Sequence, residues 1–108
     1  QVVLNLIDNA VKAMEKKNGI KRLELRSYTK GQNSYLSISD TGTGIPISLR
    51  EKIFDPFFTT ESDGSGLGLA ISLRILNDHR GAITVEGNER GGAKFTIELP
   101  IDKRTKNQ

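Results

Sequence analysis

The sequence predicts an α+β fold, a two-layer α/β sandwich with helices packed on one face of a mixed β-sheet. Two long segments repeat apolar residues at helical spacing, and two pairs of shorter segments alternate between apolar and polar residues. The predicted order along the chain is helix, two strands, two helices and two strands. That order groups the helices on one side of the sheet.

The first helix is predicted over residues 2–17, and Asn18-Gly19 is expected to end it with a left-handed cap. The first hairpin is predicted over 22–29 and 34–40, since Leu23 and Leu25 alternate with charged residues. The core stripe expected for the helix repeats at helical spacing and consists of Val3, Ile7, Ala10 and Met14.

The second half of the chain opens with glycine-rich segments. A short helix is predicted at about 48–53, and the segment from Asp55 to Ser65 has the composition of a surface loop. A second long helix is predicted over 66–76. The second strand pair is expected over 82–87 and 93–99.

Composition limits the function. The 108 residues suit one domain, expected over 1–100 with a basic tail at 101–108, and the net charge of +3 lies partly in that tail. With no cysteine, disulfides and thiolate metal sites are excluded. Binding of nucleic acid would need a basic stripe on an ordered element, and the sequence shows none outside the first helix. Because the chain opens on Gln1 inside an amphipathic helix, we expect an N-terminally truncated piece of a longer protein.

The first helix carries a polar row of Asn5, Asn9 and Lys12, roughly opposite the expected core stripe, and Lys16 continues it. Asparagines spaced i, i+4 lower helix propensity, which favours a functional role. An amide oxygen suits a hard cation such as Mg²⁺, and a lysine one turn away suits phosphate. Simple solvent exposure of this face is the alternative.

Two glycine segments favour a ligand. Asp40-Thr41-Gly42-Thr43-Gly44 follows a predicted strand, and a carboxylate there can accept a hydrogen bond from an exocyclic amine. Residues 64–69 (Gly-Ser-Gly-Leu-Gly-Leu) enter a helix, whose N-terminus favours phosphate. Their spacing fits neither a P-loop nor a dinucleotide fingerprint. An ordinary turn and a flexible helix entry are the alternatives.

Three of the four phenylalanines lie at 54–58. Core packing under the loop explains them, and a hinge for a moving lid is the functional alternative. The only histidine, His79, is expected at a helix C-terminus. Because a helix C-terminus favours a cation, a structural role is expected for it.

In combination, these motifs resemble the catalytic ATP-binding domain of sensor histidine kinases, within the gyrase, heat-shock chaperone, histidine kinase and mismatch-repair ATPase superfamily and its Bergerat-type fold. The resemblance spans residues 1 to about 100. Five ordered motifs carry it: 5–10 (NLIDNA), 40–44 (DTGTG), 54–60 (FDPFFTT), 64–69 (GSGLGL) and 91–96 (GGAKFT).

The resemblance implies ATP and Mg²⁺ as cofactors. Asn9 would coordinate Mg²⁺, Asn5 would support the phosphates, Lys12 would contact phosphate, and Asp40 would accept a hydrogen bond from the adenine amino group. Residues 55–65 would form the ATP lid. The other nucleotide-binding residues implied are Gly42, Gly44, Ile45, Phe54, Thr59, Thr60, Gly64, Ser65, Gly66, Leu67, Gly68, Leu69 and Thr96.

Three positions bear on the reaction. Similar kinases often carry a lysine where this chain has Glu61, and an aromatic residue where it has Ala13-Met14. Asn5 stands where the superfamily's ATP hydrolases usually place a glutamate that activates water. An amide cannot act as that base, so Asn5 favours transfer to an external acceptor.

The function implied is donation of the γ-phosphoryl group to a histidine on a separate dimerisation domain of the parent, with a response regulator downstream. The chain itself is expected to bind ATP as a monomer without autophosphorylation, in a homodimeric parent. A cytoplasmic location is expected, and membrane anchoring of the parent stays open. The alternatives are a degenerate nucleotide-binding module that docks partners, which Glu61 favours, and a stand-alone ATP hydrolase.

Overall fold

The computed structural model describes residues 1–58 and 67–101. Two long helices and four strands form the framework, and two short 3₁₀ turns stand where one short helix was expected. The helices are α1 (Val2–Glu15) and α2 (Gly68–Asp78), the strands are β1 (Leu23–Lys30), β2 (Asn33–Asp40), β3 (Ala82–Gly87) and β4 (Ala93–Pro100), and the turns are Ile47–Leu49 and Lys52–Phe54.

The strands form one sheet in the order β1-β2-β4-β3. Together with the helices on one face, this confirms the two-layer sandwich. The sheet differs from the expected mixed one, because every pairing among the described strands is antiparallel. Each hairpin reverses the chain through a short turn, and β4 separates β2 from β3, which run in the same direction.

The core lies between the two helices and the inner face of the sheet. Leu6 of α1, Ile38 of β2 and Leu76 of α2 are almost completely buried, together with Phe95 and Ile97 of β4. Alternation along β4 places these two aromatic and aliphatic side chains on the helix-facing side. The hydrophobic contacts of this cluster hold the layers together.

The buried stripe of α1 differs from the expected one. Leu6, Ala10 and Met14 are buried at i, i+4 spacing, whereas Val3 and Ile7 are only half-buried. Apolar residues surround most of the first two turns, so periodicity alone did not locate the centre of the stripe. The rotation brings the asparagine row to the rim of the packed face.

The helix ends differ by two residues from the expected ones. α1 ends at Glu15, before Gly19, whose φ is +109°. α2 runs on to Asp78 and is closed by Arg80, a non-glycine residue at φ +61°, and by a hydrogen bond from the Gly81 N–H to the Leu76 carbonyl (2.7 Å).

The face of the sheet away from the helices is polar. Tyr28 and Tyr35 stack there with ring centroids 5.0 Å apart. A hydrogen bond with Glu98 raises the pKa of the Tyr35 phenol, because the neighbouring carboxylate disfavours a phenolate. Within the described ranges, no helix is both long and apolar enough to cross a membrane.

Two leucines of α1 give a matched test of the core. Leu6 is 0% exposed and Leu4 is 69% exposed. We expect Leu6→Ala to lower the free energy of unfolding by about 2–5 kcal/mol, because it leaves a cavity between helix and sheet. Leu4→Ala is expected to change it by less than about 0.5 kcal/mol. Urea unfolding followed by circular dichroism measures both, and equal losses would contradict the observed orientation of α1.

Candidate functional site

α1 contacts α2 through its first half. The Asn5 side-chain amide donates to the Gly68 carbonyl and to the Ser72 hydroxyl, both at 3.2 Å. Ser72 is completely buried and donates in turn to the Gly68 carbonyl at 2.9 Å. Asn5 therefore ties α1 to the first turn of α2. Sequence reasoning missed Ser72, since a serine inside an apolar helix gives no distinct signal.

Asn9 lies one turn beyond Asn5 on the same side of α1 and is half-buried. The Lys12 ammonium lies 3.1 Å from the Asp8 carboxylate, and the two side chains are 49% and 62% exposed. Exposed i, i+4 pairs contribute only about 0.3–0.5 kcal/mol. A more highly charged anion can therefore compete with Asp8 for the Lys12 ammonium.

Asp40 ends β2 and is only 3% exposed. Its Oδ1 accepts hydrogen bonds from the Gly42 N–H at 2.8 Å and from the Ala93 N–H at 3.3 Å. Among the described residues, both hydrogen bonds to this carboxylate reach Oδ1. The orientation of the carboxylate is thus fixed by two strand-end amides, and Oδ2 keeps its capacity to accept a proton donor.

Asn88, in the turn between β3 and β4, is the functional candidate that sequence reasoning missed. Its Oδ1 accepts from the Arg90 N–H (2.9 Å) and the Gly92 N–H (3.0 Å). Its Nδ2 donates to the Asp40 carbonyl (2.7 Å), the Ser39 hydroxyl (2.8 Å) and the Ala93 carbonyl (3.3 Å). An asparagine among glycines in a turn was the available signal. Asn88 joins the turn to the end of β2.

The glycines after Asp40 allow close packing. A Cβ on Gly42 would lie 2.7 Å from both the carbonyl carbon and the Cβ of Ala13, so this loop touches the backbone of α1. Gly44 has φ +73°, and a Cβ there would lie 2.5 Å from the Gly91 carbonyl oxygen. Both glycines therefore allow close approach to protein backbone, and their role in shaping a nucleotide pocket stays a prediction.

Three predicted nucleotide-binding residues lie in the core. Ile45, Phe54 and Leu69 are half-buried and pack against the main hydrophobic cluster. Phe54 meets the Phe95 ring edge to face, with centroids 6.5 Å apart. Leu67 immediately precedes α2, and its carbonyl accepts the first hydrogen bond of that helix. These three side chains therefore pack against the core rather than standing free for a ligand.

Thr96 is not brought together with the other residues. It lies between buried Phe95 and Ile97 on β4, so alternation places it on the sheet face away from the helices, paired with Ser37 and Thr84. Five further predicted residues lie outside the described ranges, as does Glu61. The five are Thr59, Thr60, Gly64, Ser65 and Gly66.

A cavity of about 390 Å³ lies elsewhere, at the start of α1 and the end of α2. Its lining is almost entirely apolar and includes Val2, Leu36 and His79. The His79 Nδ1 lies 2.8 Å from the Ile75 carbonyl, which fits the structural role expected at this helix end. Because the cavity lies away from Asp40 and Asn9, it is not part of the candidate site.

A cation at this site would need donors other than carboxylates. No group of three or more histidine, cysteine or acidic side chains within residues 1–58 and 67–101 could hold a metal. The half-buried Asn9 amide offers one hard oxygen on the side of α1 that also carries Asn5. That donor set fits Mg²⁺ bound mainly through phosphate and water, which is its usual mode with nucleotides.

Known proteins resemble this chain over almost its whole length. The family described as histidine kinase-, DNA gyrase B- and HSP90-like ATPase matches residues 1–103. AtoS of Escherichia coli K12, a signal transduction histidine-protein kinase, is 49% identical over 102 residues, which are 94% of this chain and 16% of AtoS. The sensor histidine kinase ZraS of Salmonella typhimurium is 42% identical over 104 residues, 96% of this chain and 22% of ZraS. The chain thus spans less than a quarter of either relative.

Solved structures agree with the fold. The catalytic domain of histidine kinase ThkA has a TM-score of 0.80 and 39% identity, covering 93% of this chain and 64% of that one. Full-length ShkA in complex with AMPPNP has a TM-score of 0.78 and 36% identity, covering 92% of this chain and 20% of ShkA.

Two glycines of the site provide a contrast. Gly42→Ala should push the loop from α1 and lower the free energy of unfolding by about 1–3 kcal/mol. At Gly68, the nearest described atom to a new Cβ is the Asn5 side chain at 3.9 Å, an ordinary contact. Gly68→Ala should therefore leave stability unchanged or raise it by up to about 1 kcal/mol, because alanine favours helix. Thermal and urea unfolding compare them, and a tolerant Gly42 would disprove the close contact.

Proposed function

The chain belongs to the histidine kinase-, DNA gyrase B- and HSP90-like ATPase family, as the ATP-binding domain of a sensor histidine kinase, and from that premise we propose that it binds Mg-ATP and donates the γ-phosphoryl group to a histidine on a separate dimerisation domain. The acceptor domain belongs to the same parent, which acts as a homodimer and passes the phosphoryl group to a response regulator. The ATP-binding domain works in the cytoplasm, whether or not the parent is anchored to a membrane. The ShkA complex with the ATP analogue AMPPNP supports the choice of nucleotide.

The buried carboxylate of Asp40 is the observation that carries the proposal. With Oδ1 held by two backbone N–H groups, Oδ2 can accept a hydrogen bond from the 6-amino group of adenine. Guanine and hypoxanthine present a carbonyl oxygen at that position, which a carboxylate repels. The site therefore selects adenine by charge and by hydrogen-bond polarity.

The phosphates would lie at the opposite end of the site. The first N–H groups of α2 have no partner within the helix, and the positive end of the helix dipole favours phosphate there. Asn5 contacts this same turn at the Gly68 carbonyl. Asn9 would hold Mg²⁺ by its amide oxygen, and Lys12 would exchange Asp8 for phosphate. When bound, the cation neutralises phosphate charge. Along α1, Asn5 and Ala13 are separated by about 12 Å, which places base and phosphates at two ends of one helix.

Transfer to an external histidine fits the side chains present. The amide of Asn5 cannot take a proton from water, which disfavours hydrolysis. His79 lies at the far end of α2, about 16.5 Å along the helix from Gly68, so it is misplaced as an acceptor. Phosphoryl transfer depends mainly on positioning and charge neutralisation, which this polar face can supply to an incoming histidine.

Adenine recognition is tested with Asp40→Asn. If the new amide keeps its oxygen on the Gly42 and Ala93 N–H groups, its NH₂ meets the adenine amino group donor to donor. We expect Mg-ADP affinity to fall about 10- to 100-fold, while Mg-IDP, with a carbonyl oxygen at that position, binds as well or better. Isothermal titration calorimetry measures both, and Asp78→Asn at the exposed end of α2 is the control. Unchanged ADP affinity in Asp40→Asn would remove Asp40 from the base site.

Phosphotransfer is tested in trans. With labelled Mg-ATP alone, the chain should form no phosphohistidine, whereas addition of a helical dimerisation domain from the parent should yield phosphorylation of that domain. Asn9→Ala is expected to lower the rate at least about tenfold, since the cation loses its protein ligand, while Asn77→Ala on the exposed face of α2 should not. ATP binding without transfer to the acceptor domain would favour a degenerate docking module.

A further inference from the structure

We propose that Asn88 is a positioning residue that sets the choice of base by holding the Asp40 carboxylate in one orientation. The proposal rests on the proposed function of Asp40 as the acceptor for the adenine amino group. It adds a determinant of specificity that lies outside the five motifs of the sequence, in the turn between β3 and β4.

The two halves of the Asn88 amide act on different parts of the chain. The acceptor half, Oδ1, closes the turn through the Arg90 and Gly92 N–H groups. The donor half, Nδ2, reaches across to the Asp40 carbonyl and the Ser39 hydroxyl, at 2.7 and 2.8 Å. One side chain thus fastens the turn to the last two residues of β2.

This link determines where the carboxylate points. The Ala93 N–H, one of the two donors to Oδ1, follows directly on the turn that Asn88 closes. Gly92 packs so closely on Asp40 that a Cβ there would overlap the Asp40 carbonyl oxygen and lie 2.7 Å from Oδ1. A turn released from β2 would withdraw the Ala93 donor and open space beside the carboxylate. The carboxylate could then rotate, and Oδ2 would lose its fixed direction.

Fixed direction matters for discrimination more than for affinity. A rotating carboxylate can still bind an amine part of the time, and it can also turn away from a carbonyl. Loss of the Asn88 side chain should therefore weaken the binding of ADP and relieve the repulsion between the carboxylate and the base carbonyl of IDP. A residue that merely stabilises the turn would change both affinities by the same factor.

The experiment measures the ratio of the dissociation constants of Mg-IDP and Mg-ADP by calorimetry on the whole chain. Asn88→Ala should lower this ratio about tenfold, the effect of about 1.4 kcal/mol. Asn88→Asp keeps the acceptor half of the amide and loses the donor half, so it should lower the ratio similarly. Glu89→Ala, in the same turn and exposed, is the matched control and should leave the ratio unchanged. Equal weakening of both nucleotides by Asn88→Ala would overturn the proposal.

A double-mutant cycle separates this proposal from the proposed function. In an Asp40→Asn background, Asn88→Ala should no longer change the ratio, and a persistent full effect would overturn action through Asp40.

A wild-type chain that does not prefer ADP to IDP would overturn both the role of Asp40 and that of Asn88. If Asp40→Asn abolishes the preference for ADP over IDP and Asn88→Ala retains it, only the proposed role of Asn88 is overturned. If Asn88→Ala fails to fold, Ser39→Ala is the variant to measure, because it removes one hydrogen-bond partner of Asn88 at a half-buried position. It should lower the ratio about threefold.

Discussion

The burial of one carboxylate, that of Asp40, constrains the rest of the site. A buried carboxylate is costly unless hydrogen bonds compensate for lost water. Here the donors are backbone N–H groups of two separate segments, at Gly42 and Ala93. Both segments must therefore approach closely, which requires glycine at positions 42 and 92, where a Cβ would collide with α1 or with Asp40 itself. The glycines at 42 and 92 are thus required for the hydrogen bonding of the Asp40 carboxylate, independently of any ligand.

α1 forms the common wall of this arrangement. Its buried stripe anchors it to the sheet through Leu6, and its rim carries Asn5 and Asn9. Packing of Gly42 against Ala13 fixes the second half of the helix, while the Asn5 hydrogen bonds fix the first half against α2. A polar face supported by a packed core keeps its side chains in place without a ligand, which lowers the entropic cost of binding.

Local chemistry explains what the sequence could predict. Strand alternation, helical spacing and glycine located every long element to within about two residues, and the Asp40 and asparagine motifs remain the predicted two ends of the candidate site. The turn marked Asn88 as a candidate, but its contact with Asp40 was not predictable, because it spans 48 residues of sequence and depends on the order of the strands. Thr96 shows the opposite case, since alternation with Phe95 and Ile97 already implied the outer face. The buried stripe of α1 was ambiguous because apolar residues surround its first turns.

The two ends of the site should affect different kinetic constants. In the proposed function, base recognition by Asp40 is the same before and during phosphoryl transfer, so it would contribute uniform binding and act on KM. Charge would move only at the phosphate end, to which we assign half-buried Asn9 and exposed Lys12 of α1. Interactions there can strengthen as the γ-phosphoryl group leaves, and they act on kcat. We therefore expect affinity and selectivity to depend on the buried, tightly hydrogen-bonded end, and the rate to depend on the end that we propose an acceptor domain approaches.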